Sequence, residues 1–131
     1  MPFGRVLVVE DDDNVRNAVR LILAKAGYEV IEAADGGQAM GMLASGDNPT
    51  KVVTIICDLK MPKVGGIEAI RFFRSHFPSI PVIVLTVKEK EQETTALLRK
   101  EGVVNYLIKP IAPERLTAAV LKATKERASE T

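Results

Sequence analysis

The sequence predicts an α/β domain built on a parallel sheet with helices on both faces. Three observations lead there. Short, apolar, β-branched runs alternate with segments of helical spacing. Four of the five runs lack polar alternation, and a strand with no wet face must be covered on both sides. The alternation of strand and helix continues through the whole chain, so that β-α repeats five times. That order implies right-handed crossovers between parallel strands.

The first strand is Val6-Leu7-Val8-Val9. A helix follows, with Val15, Ala18, Val19, Ile22 and Ala26 on one face and a stop at Gly27. Tyr28-Glu29-Val30-Ile31-Glu32 alternates, which marks an edge strand with one wetter face. A short second helix spans residues 38–44, with Ala39, Met40 and Leu43 inward. Residues 46–51 read as a loop. The third strand is Val52-Val53-Thr54-Ile55-Ile56. Ile67, Ile70, Phe73 and Phe77 line a third helix, stopped by Pro78. Val82-Ile83-Val84-Leu85 is the fourth strand. Residues 91–101 form a fourth helix with a thin apolar face, mainly Leu97 and Leu98, ending at Gly102. Residues 103–108 make the fifth strand. The fifth helix starts at Pro113 and buries Leu116, Ala119, Val120 and Ala123.

A length of 131 residues suits one domain, read as residues 1–127 with a tail at 128–131. Apolar residues make up 47% and charged residues 27%, enough for one core and typical of a soluble chain. The formal net charge is +1, so nothing global points to nucleic acid or a charged membrane. Cys57 is the single cysteine and forms no internal disulfide, which fits a reducing compartment. No apolar run approaches the ~20 residues that span a bilayer, and Met1-Pro2-Phe3-Gly4-Arg5 does not open a signal peptide. A cytoplasmic protein is expected.

In an open parallel sheet, ligands bind beyond the carboxyl ends of the strands. Glu10, Asp11 and Asp12 follow the first strand, Asp58 the third, Thr86 the fourth, and Lys109 and Pro110 the fifth. Carboxylates, a hydroxyl and an ammonium thus converge on one edge. Hard oxygens grouped this way suit Mg²⁺. A carboxylate beside such an ion can act as a nucleophile, with aspartyl phosphate as the covalent form. The ion and a lysine would neutralise phosphoryl oxygens during transfer.

The segments Val8-Val9-Glu10-Asp11-Asp12, Cys57-Asp58-Leu59-Lys60-Met61-Pro62, Leu85-Thr86 and Lys109-Pro110 resemble the response regulator receiver family of two-component signalling, in order and spacing. The resemblance covers essentially the whole chain. It implies a flavodoxin-like sheet of order 2-1-3-4-5. It implies Asp58 as phosphoacceptor, and Glu10, Asp11, Asp58 and the Lys60 backbone carbonyl as the Mg²⁺ site. It implies Lys109 as the phosphate-pairing lysine, Thr86 as the switch hydroxyl, Tyr106 as an aromatic switch, and a cis bond before Pro110. Its implied partners are a sensor histidine kinase or phosphotransfer protein and a downstream protein or output domain. Direct contact with nucleic acid or membrane is not implied, and dimerisation through the surface of the fourth helix, fifth strand and fifth helix is open. The chemistry would be self-catalysed transfer and loss of phosphate, not enzymatic turnover. No output domain is recognised. A protein that acts alone and a receiver from a longer regulator or hybrid kinase both fit.

Blander readings stand beside these. Asp12 and Asp13 serve a helix N-terminus, His76 is a surface residue, Cys57 is packing, and 88–93 is a solvated helix start. The sequence also departs from the family pattern. Gly65-Gly66 replaces an acidic residue and glycine, giving a flexible loop. Val87 stands where a small residue is usual and narrows access to Asp58. Lys60 and Lys88 occupy positions that modulate phosphate lifetime. Two other classes compete. A Mg²⁺ phosphatase or phosphotransferase would usually need a cap domain or a second aspartate near the nucleophile, and Leu59-Lys60 after Asp58 offers none. A flavin- or nucleotide-binding module would need a phosphate loop where Glu10-Asp11-Asp12-Asp13 stands. The nearest binding-only reading is a pseudo-receiver with weak or no phosphorylation.

Overall fold

The computed structural model describes residues 4–61, 65–103 and 105–130. Expectations that touch residues 1–3, Pro62, Val104 or Thr131 lie outside the described residues. The strands are β1 (Arg5–Val9), β2 (Glu29–Ala33), β3 (Val52–Asp58), β4 (Val82–Thr86) and β5 (Asn105–Ile108). They form one parallel sheet of order β2-β1-β3-β4-β5. The flavodoxin-like order implied by the resemblance is the order found.

Helices cover both faces: α1 (Asp13–Lys25), α2 (Gly36–Leu43), α3 (Asn48–Lys51), α4 (Gly66–His76), α5 (Glu91–Glu101) and α6 (Pro113–Glu130). Side chains alternate across each strand. Leu7, Val9, Ile55, Cys57, Val82 and Val84 therefore face α2, α4 and α5. Val6, Val8, Ile56, Ile83 and Leu85 face α1 and α6. β1 and β4 are buried along nearly all their length, as an all-apolar central strand requires.

Several expectations change in detail. Residues 46–51 are not all loop. α3 is one turn, with Pro49 near its start, where no N–H is needed. α2 begins at Gly36 because Asp35 caps it, accepting from the Gln38 N–H. On α1, Leu23 is fully buried and Ala18 is exposed, so the inward face is rotated from the expected one. On α4, Ile67 is 42% exposed at the mouth of a cleft, and Ala69 takes the inward place. β5 starts at Asn105 rather than 103. As an edge strand it leaves Asn105, Tyr106 and Ile108 half-buried. Residues 128–130, expected as a tail, continue the backbone of α6.

Gly66 is not part of a flexible loop. It is the buried first residue of α4, and a Cβ there would collide with the carbonyl oxygens of Asp58 and Leu59. Only glycine lets α4 start this close to the end of β3. Gly102 closes α5 in the left-handed region, at φ 71°. No helix among the described residues is long and apolar enough to cross a membrane.

Candidate functional site

Sheet register brings the charged residues together. Val9 lies opposite Cys57, so the next residues, Glu10 and Asp58, meet at the carboxyl edge. Asp58 lies opposite Leu85, and Thr86 opposite Ile108, which delivers Lys109 to the same edge. The ladder continues past the strand ends. The Glu10 N–H donates to the Ala33 carbonyl at 3.0 Å, and the Lys109 N–H to the Thr86 carbonyl at 2.8 Å. The Lys109-Pro110 peptide bond is cis.

Lys109 Nζ lies 2.7 Å from Glu10 Oε1 and 3.2 Å from Asp58 Oδ2. Asp58 Oδ1 accepts from the Lys60 N–H at 3.3 Å, and Glu10 Oε2 from the Asp12 N–H at 3.1 Å. Glu10 is wholly buried and Asp58 nearly so, while Asp11 is exposed at the rim. One carboxylate oxygen from each of Glu10, Asp11 and Asp58 lies within 4.8 Å of the others. Asp12 and Asp13 stay outside this cluster. Asp12 caps α1, accepting from the Asn14 and Val15 N–H groups.

The electrostatics follow from burial and crowding. Burial pushes Glu10 above the ordinary carboxylate range; Lys109 opposes the rise and Asp58 adds to it. Asp11, though at the rim, is raised as well, by partial desolvation first and by Glu10 second. Burial alone would lower Lys109, but Glu10 and Asp58 outweigh it and raise it. The cluster holds more negative charge than one ammonium compensates. Glu10 Oε1 is paired with the Lys109 ammonium alone, and a carboxylate oxygen can accept more than one partner. A buried carboxylate oxygen with spare acceptor capacity, among hard oxygens in excess negative charge, fits a small divalent cation such as Mg²⁺. Glu10, Asp11 and Asp58 are the carboxylates the structure groups to hold it.

These residues open into a cleft of about 680 Å³, which Thr86, Val87 and Lys60 also line. Val87 is 39% exposed there. Lys88 turns away and pairs with Glu91 at 3.1 Å. Thr86 is buried, and its hydroxyl is hydrogen-bonded to the Thr94 hydroxyl on α5 at 2.9 Å. Tyr106 does not reach the cleft. Its hydroxyl donates to Glu91 Oε2 at 2.7 Å, and its ring lines a separate recess of about 440 Å³ beside α6. Contrary to the solvated helix start expected for 88–93, Glu91 is held by Tyr106, and with Thr94 it is a polar anchor of α5. Thr94 carried a signal in the sequence, three residues before Leu97 on the same helical stripe. Cys57 is fully buried and its thiol is pushed up by burial, which suits packing. His76 is exposed, stacked on Phe72.

A family model for the response regulator receiver domain matches residues 6–121. Response regulator MprA of Mycobacterium avium is 40% identical over 124 residues, covering 92% of this chain and 52% of that protein. MprA of Mycobacterium tuberculosis matches at the same identity and coverage. The chain thus spans about half the length of these curated relatives. A receiver domain protein from Clostridium thermocellum superposes with a TM-score of 0.90 at 26% identity, covering 98% of this chain and 100% of that one. A CheY-like receiver domain protein from Methanospirillum hungatei shares the fold, with a TM-score of 0.88 at 24% identity over 98% of each chain. The chain belongs to the response regulator receiver family.

Proposed function

We propose that this receiver is a phosphorylation switch whose phosphoacceptor is Asp58. The observation that carries the reading is the union of Asp58, Glu10 and Lys109 at one sheet edge, with one carboxylate oxygen each of Glu10, Asp11 and Asp58 gathered within 4.8 Å. An Asp58 carboxylate oxygen attacks the phosphorus of a phosphohistidine on a sensor histidine kinase or phosphotransfer protein. The bond to the donor nitrogen breaks and an acyl phosphate forms. Lys109 pairs with the transferred oxygens. Mg²⁺ held by Glu10, Asp11, Asp58 and the Lys60 carbonyl supplies further neutralisation of phosphoryl charge when bound.

The new group adds roughly −1.5 to −2 charge. Thr86 turns toward it, and Tyr106 moves inward from its place on Glu91. The α5-β5-α6 surface then changes its preference for a downstream protein, an output domain or a second copy. This is a two-state population shift biased by phosphate. The chemistry is self-catalysed transfer and autodephosphorylation in the cytoplasm, not enzymatic turnover. Val87 at the cleft mouth restricts entry of donor and water.

The test is intact mass after incubation with acetyl phosphate and Mg²⁺, for wild type and Asp58→Asn. A gain of one phosphoryl group in wild type only is expected. No gain in a folded wild type, even with a kinase donor, would leave a pseudo-receiver that binds partners without phosphate.

A further inference from the structure

The hydroxyl of Thr94 has a neighbour on each side. Thr86 Oγ1 is 2.9 Å away and the Lys90 carbonyl oxygen is 2.7 Å away. Thr94 is wholly buried and Thr86 is 3% exposed, so water does not replace either partner. The Lys90 carbonyl can only accept. Each threonine hydroxyl has one proton to give. Both contacts have a proton of their own in one arrangement: Thr86 donates to Thr94, and Thr94 donates to Lys90. The single proton of Thr86 is then committed to α5.

We infer that Thr94 is a positioning residue that holds the Thr86 hydroxyl against α5 in the resting state. The inference deepens the switch reading above and rests on it for its consequence. To donate to a phosphoryl oxygen on Asp58, Thr86 must leave Thr94, and a buried acceptor loses its partner. Lys90, the carbonyl at the far end of the chain, is the residue immediately before α5. Release of Thr86 therefore removes one tie between β4 and the same first turn that Glu91 ties to Tyr106. The two anchors sit three residues apart on one helix. A single hydroxyl thus links the transfer chemistry to the start of the responsive surface.

The experiment compares wild type with Thr94→Val, which keeps the shape and removes the hydroxyl, and with Thr94→Ser, which keeps the hydroxyl. Thr94→Ala, a strong helix former, is a second hydroxyl-free variant should the valine not fold. The side-chain coupling constants of Thr86 are measured by NMR without any phosphoryl donor. One fixed rotamer is expected in wild type and Thr94→Ser, and averaging in Thr94→Val or Thr94→Ala. Wild-type couplings in a folded hydroxyl-free variant would overturn the inference. Affinity for beryllofluoride with Mg²⁺ is measured next. Thr94→Val is expected to bind about two- to tenfold more tightly, the worth of one hydrogen bond removed from the resting state, with Thr94→Ser near wild type. Equal or weaker binding by the valine variant would also overturn it. If wild type takes neither beryllofluoride nor phosphate, the switch reading fails, while the couplings still decide the role of Thr94.

Discussion

Helices α4 and α5 each have 11 residues and pack on the same face of the sheet, but different chemistry holds them there. α4 buries Gly66, Ala69, Ile70 and Phe73, and its first residue is wedged against the end of β3. α5 buries only Thr94 and Leu97. Leu98 packs half-buried beside them, and the remaining ties are polar: Thr94 to Thr86, Glu91 to Tyr106 and Glu101 to Arg71. An apolar face is released only by exposing it to water. A hydrogen bond can be exchanged for another at little net change. The helix beside Asp58 is thus built to stay, and the helix beyond Thr86 is built to be renegotiated.

That contrast can be broken first in the core. Phe73→Ala is expected to cost about 3–5 kcal/mol of stability, since it empties a fully buried aromatic site. Leu97→Ala should fall near the lower end for its class, about 2 kcal/mol, because Leu97 keeps 9% exposure. Chemical denaturation of both variants checks the pair. Equal costs would mean that α5 is as firmly packed as α4.

A smaller effect sharpens the claim that α4 is wedged. Gly66→Ala should destabilise by about 1–3 kcal/mol, because neither carbonyl oxygen can yield without moving β3. Gly65→Ala meets nothing within 4 Å and should stay within about 0.5 kcal/mol. If thermal unfolding found the two alike, the close approach would not be what fixes the start of α4.

The smallest effect concerns pH and the first turn of α5. Tyr106 first, and Lys88 second, hold Glu91 below the usual carboxylate range. A lowered folded value means that the tie contributes above the unfolded pKa and is lost as pH falls through the folded one. Glu91 in turn raises Tyr106 above its ordinary value of 10.0. That contribution is complete below the unfolded value and is lost as pH rises through the folded one. Hydrogen-exchange protection of the first turn of α5 should therefore decline at both extremes. Glu91→Gln should flatten the acid limb, and a variant that keeps it would place the titration elsewhere.

The alternation of apolar runs and helical segments by itself determined the sheet, its parallel sense and the identity of the residues at its carboxyl edge. The reason is local. Side chains alternate along a strand, and the residue after each strand is delivered to the same end whatever the packing. Glu10, Asp58, Thr86 and Lys109 were therefore legible before any contact was known. Tertiary structure alone decided matters of phase and partner. Val19 is buried beside an exposed Ala18, and Leu23 joins it, because helix phase is set by what α1 meets. Ile67 lies outward because α4 begins at the cleft mouth. The bonds from Thr94 to Thr86 and from Tyr106 to Glu91 join residues 8 and 15 positions apart in the chain. No periodicity encodes such pairs; they exist only once β4, β5 and α5 have been brought side by side.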